Sequence, residues 1–323
     1  MKICVLGAGG WGTTLANLLA EKNEVSLWVR EPELAKIIKE EKENKWFLPG
    51  VRLRENIIFS NEVDIIKNND IIVFAVPSQF MRATAKDFSS NISKETIIVS
   101  VSKGIELASK KRMSEILKEE LHNNNVIALS GPNHCEEVSL KIPTATVIAS
   151  ENTKILAKVK EAFTTDYFKV YSHDDIIGVE ICGSIKNITA IAAGVVDGLG
   201  FGDNSKASII TYGLTEMNKF GRFFGAKRKT IYGLAGVGDL VATCTSKHSR
   251  NRFVGERIAQ GLYYEEIVKE MQGKVAEGIM TAKAIHEFSI QNNIDMPLTS
   301  QVYKVLFEKK DLKKAIKDLI NLI

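Results

Sequence analysis

The apolar positions of this 323-residue chain change their period near its middle. In the first half they come in short runs rich in valine and isoleucine, at residues 2–6, 24–29, 70–76, 96–101 and 126–130, with further runs at 145–149 and 168–171. Short β-branched runs bounded by glycine, proline or asparagine predict strands. Helical spacing falls between them, as around residues 112–121. Strand and helix in alternation predict a mostly parallel sheet. From about Ile176 the β signal fades, and apolar residues recur at helical spacing over 178–198, 205–223, 250–260, 264–271, 278–291 and 301–307. The pattern predicts an α/β domain over residues 1–176 and an all-α domain over 177–323. With no low-complexity linker and no solenoid repeat, the two are expected to share a tight interface.

Residues 178–198 form the most apolar helical segment. Ile181, Ile185, Ile188, Ala192 and Val195 make one stripe, and Gly183, Ala190 and Gly194 lie opposite, where they admit another backbone. Only Glu180, Lys186 and Asp197 are charged. A solvated face carries more charge than this, so the helix is expected to be packed on both sides with Lys186 partly desolvated. Periodicity alone favours a buried helix whose lysine reaches out to water. Burial also lowers a lysine pKa, which makes Lys186 a candidate acid or base. The side holding the small residues is expected to face a cleft, and the isoleucine stripe to face the helical core.

Directly after the first predicted strand stands Gly7-Ala-Gly9-Gly-Trp-Gly12, followed by helical spacing from Thr13. In a strand–turn–helix setting Gly7 makes the tight turn, Gly9 admits a pyrophosphate and Gly12 packs helix on strand. The free amides of the helix N-terminus then face the phosphates. This setting raises a dinucleotide site above the plain alternative of a glycine-rich turn. Arg30 and Glu31 end the second strand. An arginine there suits a 2′-phosphate and an acid the ribose hydroxyl, so Arg30 leans to NADPH while Glu31 keeps NADH open. Lys103 and the Gly131-Pro-Asn133 loop follow later strands, at the ends where ligands bind in such sheets.

Two clusters in the second half bear on a substrate. In Gly233-Leu-Ala-Gly236-Val-Gly238-Asp239, a glycine-rich turn entering a helix, Asp239 reads either as an N-cap, the commoner use, or as an acceptor for a hydroxyl. In Lys247-His-Ser249-Arg250-Asn251-Arg252, cations stand at a predicted helix N-terminus, where the helix dipole disfavours them. A bound anion would remove that conflict, with Ser249, Arg250, Asn251 and the amides as its donors.

Composition narrows the classes. The formal charge of +4 is too small for a nucleic-acid surface. No run approaches the roughly 18 consecutive apolar residues of a membrane span, and the first apolar run stops too early for a signal peptide. A cytoplasmic enzyme is the expectation. Cys4, Cys135, Cys182 and Cys244 are scattered without metal-ligand spacing, so no metal site is expected and thiols are favoured over disulfides.

These segments together resemble the NAD(P)-dependent sn-glycerol-3-phosphate dehydrogenase family. The resemblance runs through the glycine motif, Val101-Ser-Lys-Gly104, Gly131-Pro-Asn-His-Cys-Glu-Glu137, Lys186-Asn187, Gly198-Leu-Gly-Phe-Gly-Asp203, Gly236-Val-Gly-Asp239, Ser249-Arg-Asn251 and Val275-Ala-Glu-Gly278. It implies an N-terminal Rossmann domain, an all-helical second domain and an active site in the cleft between them. It implies that Lys186 is the proton donor and acceptor, and that Lys103, Gly131, Asn133, Asp239, Ser249, Arg250 and Asn251 contact glycerol phosphate. It implies further that Gly10, Trp11, Arg30, Lys103, Cys135, Arg250, Val275 and Glu277 contact NADPH or NADH. The chain departs from the family pattern at Asn133, often serine or threonine, at Cys135, often alanine, and at Ala276, usually valine.

The expected reaction is reversible hydride transfer between NAD(P)H and dihydroxyacetone phosphate, a small phosphorylated substrate. The resemblance also implies a role in supplying glycerol phosphate for phospholipids. Two rivals stay open: a dehydrogenase for a hydroxy acid, which needs no anion site at Ser249, and a silent NAD(P)-binding sensor, which needs no buried lysine. The sequence leaves the oligomeric state open, with a homodimer as one candidate.

Overall fold

The computed structural model describes residues 1–271 and 273–320, which divide into two compact units, Met1–Ser102 with Met113–Ile176, and Lys103–Arg112 with the described residues from Ile177 onward. The first unit carries ten strands: β1 (Lys2–Leu6), β2 (Glu24–Trp28), β3 (Glu43–Asn44), β4 (Leu48–Arg52), β5 (Ile57–Ser60), β6 (Ile71–Phe74), β7 (Ile97–Ser100), β8 (Val126–Ser130), β9 (Thr144–Ala149) and β10 (Phe168–His173). Eight of them form one sheet in the order β10-β9-β8-β7-β6-β1-β2-β5, and β3 pairs with β4 in a small antiparallel ladder. Every neighbouring pair in the large sheet is parallel except β8 with β9. Each of β6, β7 and β8 is buried at every position. That is why they appear in the sequence as unbroken apolar runs rather than as alternation.

The helices of this unit are α1 (Gly10–Leu19), α2 (Pro32–Glu41), α3 (Met81–Phe88), α4 (Met113–Leu121), α5 (Cys135–Ser139) and α6 (Leu156–Phe163). They divide between two apolar layers. Leu15, Leu18, Leu34 and Val159 join Ile3, Val5 and Val73 in one, and Met81, Phe88, Ile116 and Leu117 join Cys4, Leu6 and Phe74 in the other. A doubly wound α/β layer results.

The second unit contains α7 (Ile176–Gly198), α8 (Asp203–Phe223), α9 (Arg228–Ile231), α10 (Asp239–Thr245), α11 (Arg250–Ala259), α12 (Tyr264–Glu270), α13 (Glu277–Gln291), α14 (Pro297–Phe307) and α15 (Leu312–Ile320). Its core gathers Ile181, Ile185, Ile188, Ala190 and Ile191 of α7 around Met217, Phe220, Leu240, Val254, Ile279 and Ile285. Helix α7 is long and apolar enough to cross a membrane, but nearly all of it is buried inside the protein, as a core helix is. Glu216 of α8 accepts from Leu298 N at 2.5 Å, Thr299 N at 3.1 Å and Thr299 Oγ1 at 2.6 Å. It thereby supplies the acceptor that the N-terminus of α14 lacks within its own turn.

Four sequence expectations are revised. Residues 103–112 group with the helical unit rather than with the sheet. Ile105 joins the helical core, and Arg112 Nη1 donates to Glu180 Oε2 of α7 at 2.7 Å. The small-residue side of α7 does not line a cleft along its length: a Cβ on Gly194 would stand 1.9 Å from Arg252 O, so this side is pressed against α11. The edge strand β5, the ladder of β3 with β4, and α15 go unpredicted, although β5 is an apolar run and α15 places Leu312, Ala315, Ile316 and Leu319 at helical spacing. Helix α14 starts at Pro297, four residues before the predicted 301, because proline suits a first helical turn.

The crossing of α7 and α11 depends on glycine from both helices. A Cβ at Gly255 would lie 1.9 Å from Ile191 O and 2.7 Å from Val195 N. Gly255→Ala should therefore force the helices apart and cost about 1–3 kcal/mol, measured by chemical denaturation of the full chain. A loss within about 0.5 kcal/mol, the range of a neutral surface change, would show the crossing to be looser than described.

Candidate functional site

In the helical unit one carboxylate joins two lysines. Gly236 lets the turn before α10 close on itself, since a Cβ there would sit 1.9 Å from Ile231 O. Residues Leu234–Gly238 form a turn of π-helix, which α10 continues from Asp239. The N-cap reading of Asp239 is thereby overturned: Gly238 precedes the helix in helical conformation, and the aspartate side chain turns inward, 1% exposed. Its Oδ2 accepts from Lys103 Nζ at 2.8 Å, and its Oδ1 accepts from Lys186 Nζ at 2.8 Å.

Lys186, 5% exposed, donates a second hydrogen bond to Thr243 Oγ1 at 2.8 Å. Thr243 is one helical turn beyond Asp239, and its Oγ1 donates a hydrogen bond to Asp239 O at 2.6 Å. The sequence reading of a lysine snorkelling to water gives way to an ammonium held inside by two acceptors. Thr243 itself goes unremarked in the sequence, although residues four apart on a helix share a face, and that spacing from Asp239 is the signal that finds it.

Charge inside this cluster is unequal. Burial, set against the nearby Asp239 carboxylate and reinforced by the Lys186 ammonium, pulls Lys103 down to about 8. For Asp239, burial pushes the carboxyl up, but Lys103 and Lys186 together outweigh it and hold the group below its ordinary value. Lys103, for which the sequence reading proposes no such change, is a lysine whose proton burial loosens.

The anion-site residues lie at the start of α11. Ser249 caps the helix, its Oγ accepting from Arg252 N at 3.2 Å. Arg252 is drawn away from that end by Asp197, to which its Nε donates at 2.5 Å, and by Glu256 at 2.9 Å. That pairing relieves part of the charge conflict without any bound anion. Arg250 is exposed, and Asn251 is 7% exposed, with its carboxamide between Asn187 and Gly278. Val275 is exposed, and Glu277 begins α13, one residue before the Gly278 that bonds Asn251.

The remaining predicted residues belong to the sheet unit. Gly7 takes a left-handed φ of +109°, and a Cβ on Gly12 would meet Gly7 O at 1.9 Å, so both positions require glycine. Nothing stands within 4 Å of a Cβ on Gly9, an open approach at the N-terminus of α1, where no side chain caps the amides. A Cβ on Gly10 would meet Phe47 O at 2.9 Å and Cys135 Sγ at 3.1 Å. Trp11 packs on Phe168 while its buried Nε1 finds no partner among the described residues. An uncapped helix end, an open glycine and an unanswered donor fit a dinucleotide phosphate. Asn44, which no pattern singles out, secures the loop by donating to Ala8 O at 2.7 Å and Thr13 Oγ1 at 2.8 Å.

Arg30 is exposed and donates from Nε to Glu31 Oε1 at 2.8 Å, so the arginine and the acid that point to different cofactors form one pair. Gly131 has φ +146°, and Asn133 donates one amide hydrogen to Thr146 Oγ1 at 3.1 Å. Cys4 and Cys244 are buried thiols that desolvation pushes up to about 12, which makes them poor nucleophiles.

Comparison with known proteins agrees with both units. Residues 2–156 match the family described as NAD-dependent glycerol-3-phosphate dehydrogenase N-terminus, and residues 175–317 match its C-terminus. A glycerol-3-phosphate dehydrogenase (NAD(P)+) of Chlorobium phaeobacteroides is 51% identical over 326 residues, covering 99% of this chain and 98% of that one. Its counterpart in Clostridium botulinum is 44% identical, covering 99% and 97%. The crystal structure of glycerol-3-phosphate dehydrogenase from Coxiella burnetii superposes with a TM-score of 0.94 at 36% identity, covering 99% of this chain and 98% of that one.

The Lys103 ammonium should titrate near 8, read from its side-chain nitrogen in lysine-labelled protein. In Asp239→Asn the carboxylate that favours the charged form is gone, so the midpoint should fall further. An ordinary lysine value in both proteins would contradict the described cluster.

Proposed function

The chain belongs to the NAD-dependent glycerol-3-phosphate dehydrogenase family, and from that membership we propose how its own residues divide the work. The reaction is reversible hydride transfer between NAD(P)H and dihydroxyacetone phosphate, giving sn-glycerol 3-phosphate. One observation carries the assignment of the proton donor: the buried Lys186 ammonium, 2.8 Å from both Asp239 and Thr243.

When bound, the reduced nicotinamide supplies the hydride. As the new carbon–hydrogen bond forms at C2, the carbonyl electron pair moves onto oxygen, and negative charge builds there. An ammonium has three N–H donors, and Asp239 and Thr243 engage two on Lys186. The third hydrogen-bonds the developing alkoxide and passes to it. Asp239 stays anionic throughout, because two lysines favour its charged form, and so it orients Lys186 rather than competing for the proton. In the reverse direction the neutral amine takes the hydroxyl proton back.

The turn of Ser249, Arg250 and Asn251 holds the phosphate. The first-turn amides other than the Arg252 N–H that Ser249 caps, together with the guanidinium of Arg250, supply directed donors. Binding energy collected at the phosphate then fixes C2 against the reacting groups. Lys103, joined to Asp239 within the helical unit, supplies a second cation for the substrate. Within the sheet unit Gly7, Gly9, Gly10, Trp11 and Gly12 take the cofactor phosphates, with Arg30 and Cys135 as further contacts. The same reading places the enzyme in the cytoplasm, where its product feeds phospholipid synthesis.

Lys186→Ala should lose nearly all turnover while still quenching or enhancing cofactor fluorescence on binding; near-normal turnover would remove the lysine from the chemistry. Arg250→Ala should raise the KM for dihydroxyacetone phosphate by about tenfold to several hundredfold, in keeping with a lost charge-assisted bond. An unchanged KM would take the arginine out of the phosphate site. Side-by-side assays with NADH and NADPH test Arg30, for which the expected outcome is a preference for NADPH that Arg30→Ala reduces.

A further inference from the structure

Asn187, the neighbour of Lys186, is 4% exposed and has committed its whole carboxamide. Its Nδ2 donates to Lys103 O at 3.1 Å and to Gly183 O at 3.2 Å, and its Oδ1 accepts from Asn251 Nδ2 at 2.9 Å. Asn251 Oδ1 in turn accepts from Gly278 N at 2.9 Å. Backbone groups fix the orientation of both amides from the two ends. Gly278 N can only donate, and the carbonyls of Lys103 and Gly183 can only accept, so neither side chain can be flipped without breaking the chain of bonds. The first turn of α13 is pressed onto this pair, since a Cβ at Gly278 would lie 2.6 Å from Asn187 O and 2.8 Å from Asn251 Oδ1.

With both its hydrogens engaged, Asn187 has none to offer a substrate. We propose that Asn187 is a positioning residue: through Asn251 it couples the anion-binding turn of α11 to the backbone of Lys103 and to the start of α13. The proposal rests on the reading of Ser249 to Asn251 as the phosphate site. Asn251 retains one amide hydrogen. A phosphate that draws on it pulls on the same amide that braces Asn187, and the brace sets where the Lys103 carbonyl stands relative to Lys186. Asp239 and Lys186 are the charged groups facing Lys103 across this arrangement. Binding at the phosphate thus tightens the geometry of the reacting cluster, which is how remote binding becomes orientation.

Asn187→Ala and Gly278→Ala, made in the full chain, test this from opposite sides. The second keeps both asparagines but intrudes on the pair, and it carries the test if the first does not fold. In each, kcat should fall by about 100-fold, the scale of an ångström of misplacement, with cofactor binding unchanged. The Lys103 midpoint, read by nitrogen-labelled NMR without turnover, should rise from about 8 toward the ordinary lysine value as the segment loosens from its neighbours. Asn187→Ala combined with Asn251→Ala should cost no more than the worse single variant, because one chain of bonds breaks only once. A midpoint that stays near 8, or losses that multiply in the double variant, overturns the coupling. Failure of the phosphate reading looks different: Arg250→Ala then leaves KM unchanged while the Lys103 midpoint still moves in Asn187→Ala.

Discussion

The Asp239 carboxylate, shared between the ammonium groups of Lys103 and Lys186, is the interaction on which the site depends. Two cations and one anion are held where water is scarce. Each charge would be costly alone, and removing one partner from a buried pair typically costs about 3–5 kcal/mol. With the carboxylate in place, two lysines converge that would otherwise repel. The resulting cluster has an excess of positive charge, which suits a ketone oxygen becoming an alkoxide and a substrate bearing a phosphate.

Much of the helical unit serves to keep that cluster in place. Gly236 closes the turn that delivers Asp239, and the α7 core stripe fixes the axis from which Lys186 projects. Gly194 and Gly255 let α7 and α11 cross closely enough for Asn251 to reach Asn187. The segment bearing Lys103 is tied by Arg112 to Glu180 of α7. Glycines that look like breaks in the helical pattern are therefore the contacts that set distances between side chains with chemistry.

The architecture was legible because burial leaves a period. Strands β6, β7 and β8 are covered on both faces and show as continuous apolar runs, and the shift to helical spacing after Ile176 marks the second unit. The glycine motif was legible because Gly7 and Gly12 are required by backbone geometry that other residues do not meet. What the chain concealed lies in contacts between residues distant in sequence. Asp239 looks like a helix cap until Lys103 and Lys186, 136 and 53 residues away, are seen at its oxygens. Residues 103–112 follow a strand and look like its loop, but their apolar Ile105 and cationic Arg112 belong to the helical core. Asn44 carries no periodic signature and only its hydrogen bonds disclose it, whereas Thr243 is marked only by its helical spacing from Asp239.

The central claim is that Lys186, steadied by Asp239 and Thr243, addresses the C2 oxygen while the α11 turn holds the phosphate. A crystal structure of the ternary complex with dihydroxyacetone phosphate and an unreactive cofactor analogue measures this directly. The account predicts the C2 oxygen within hydrogen-bond reach of Lys186 Nζ, about 2.6–3.2 Å, and the phosphate against Ser249, Arg250 and Asn251. A C2 oxygen bound by another group, with Lys186 still turned only to Asp239 and Thr243, would contradict it.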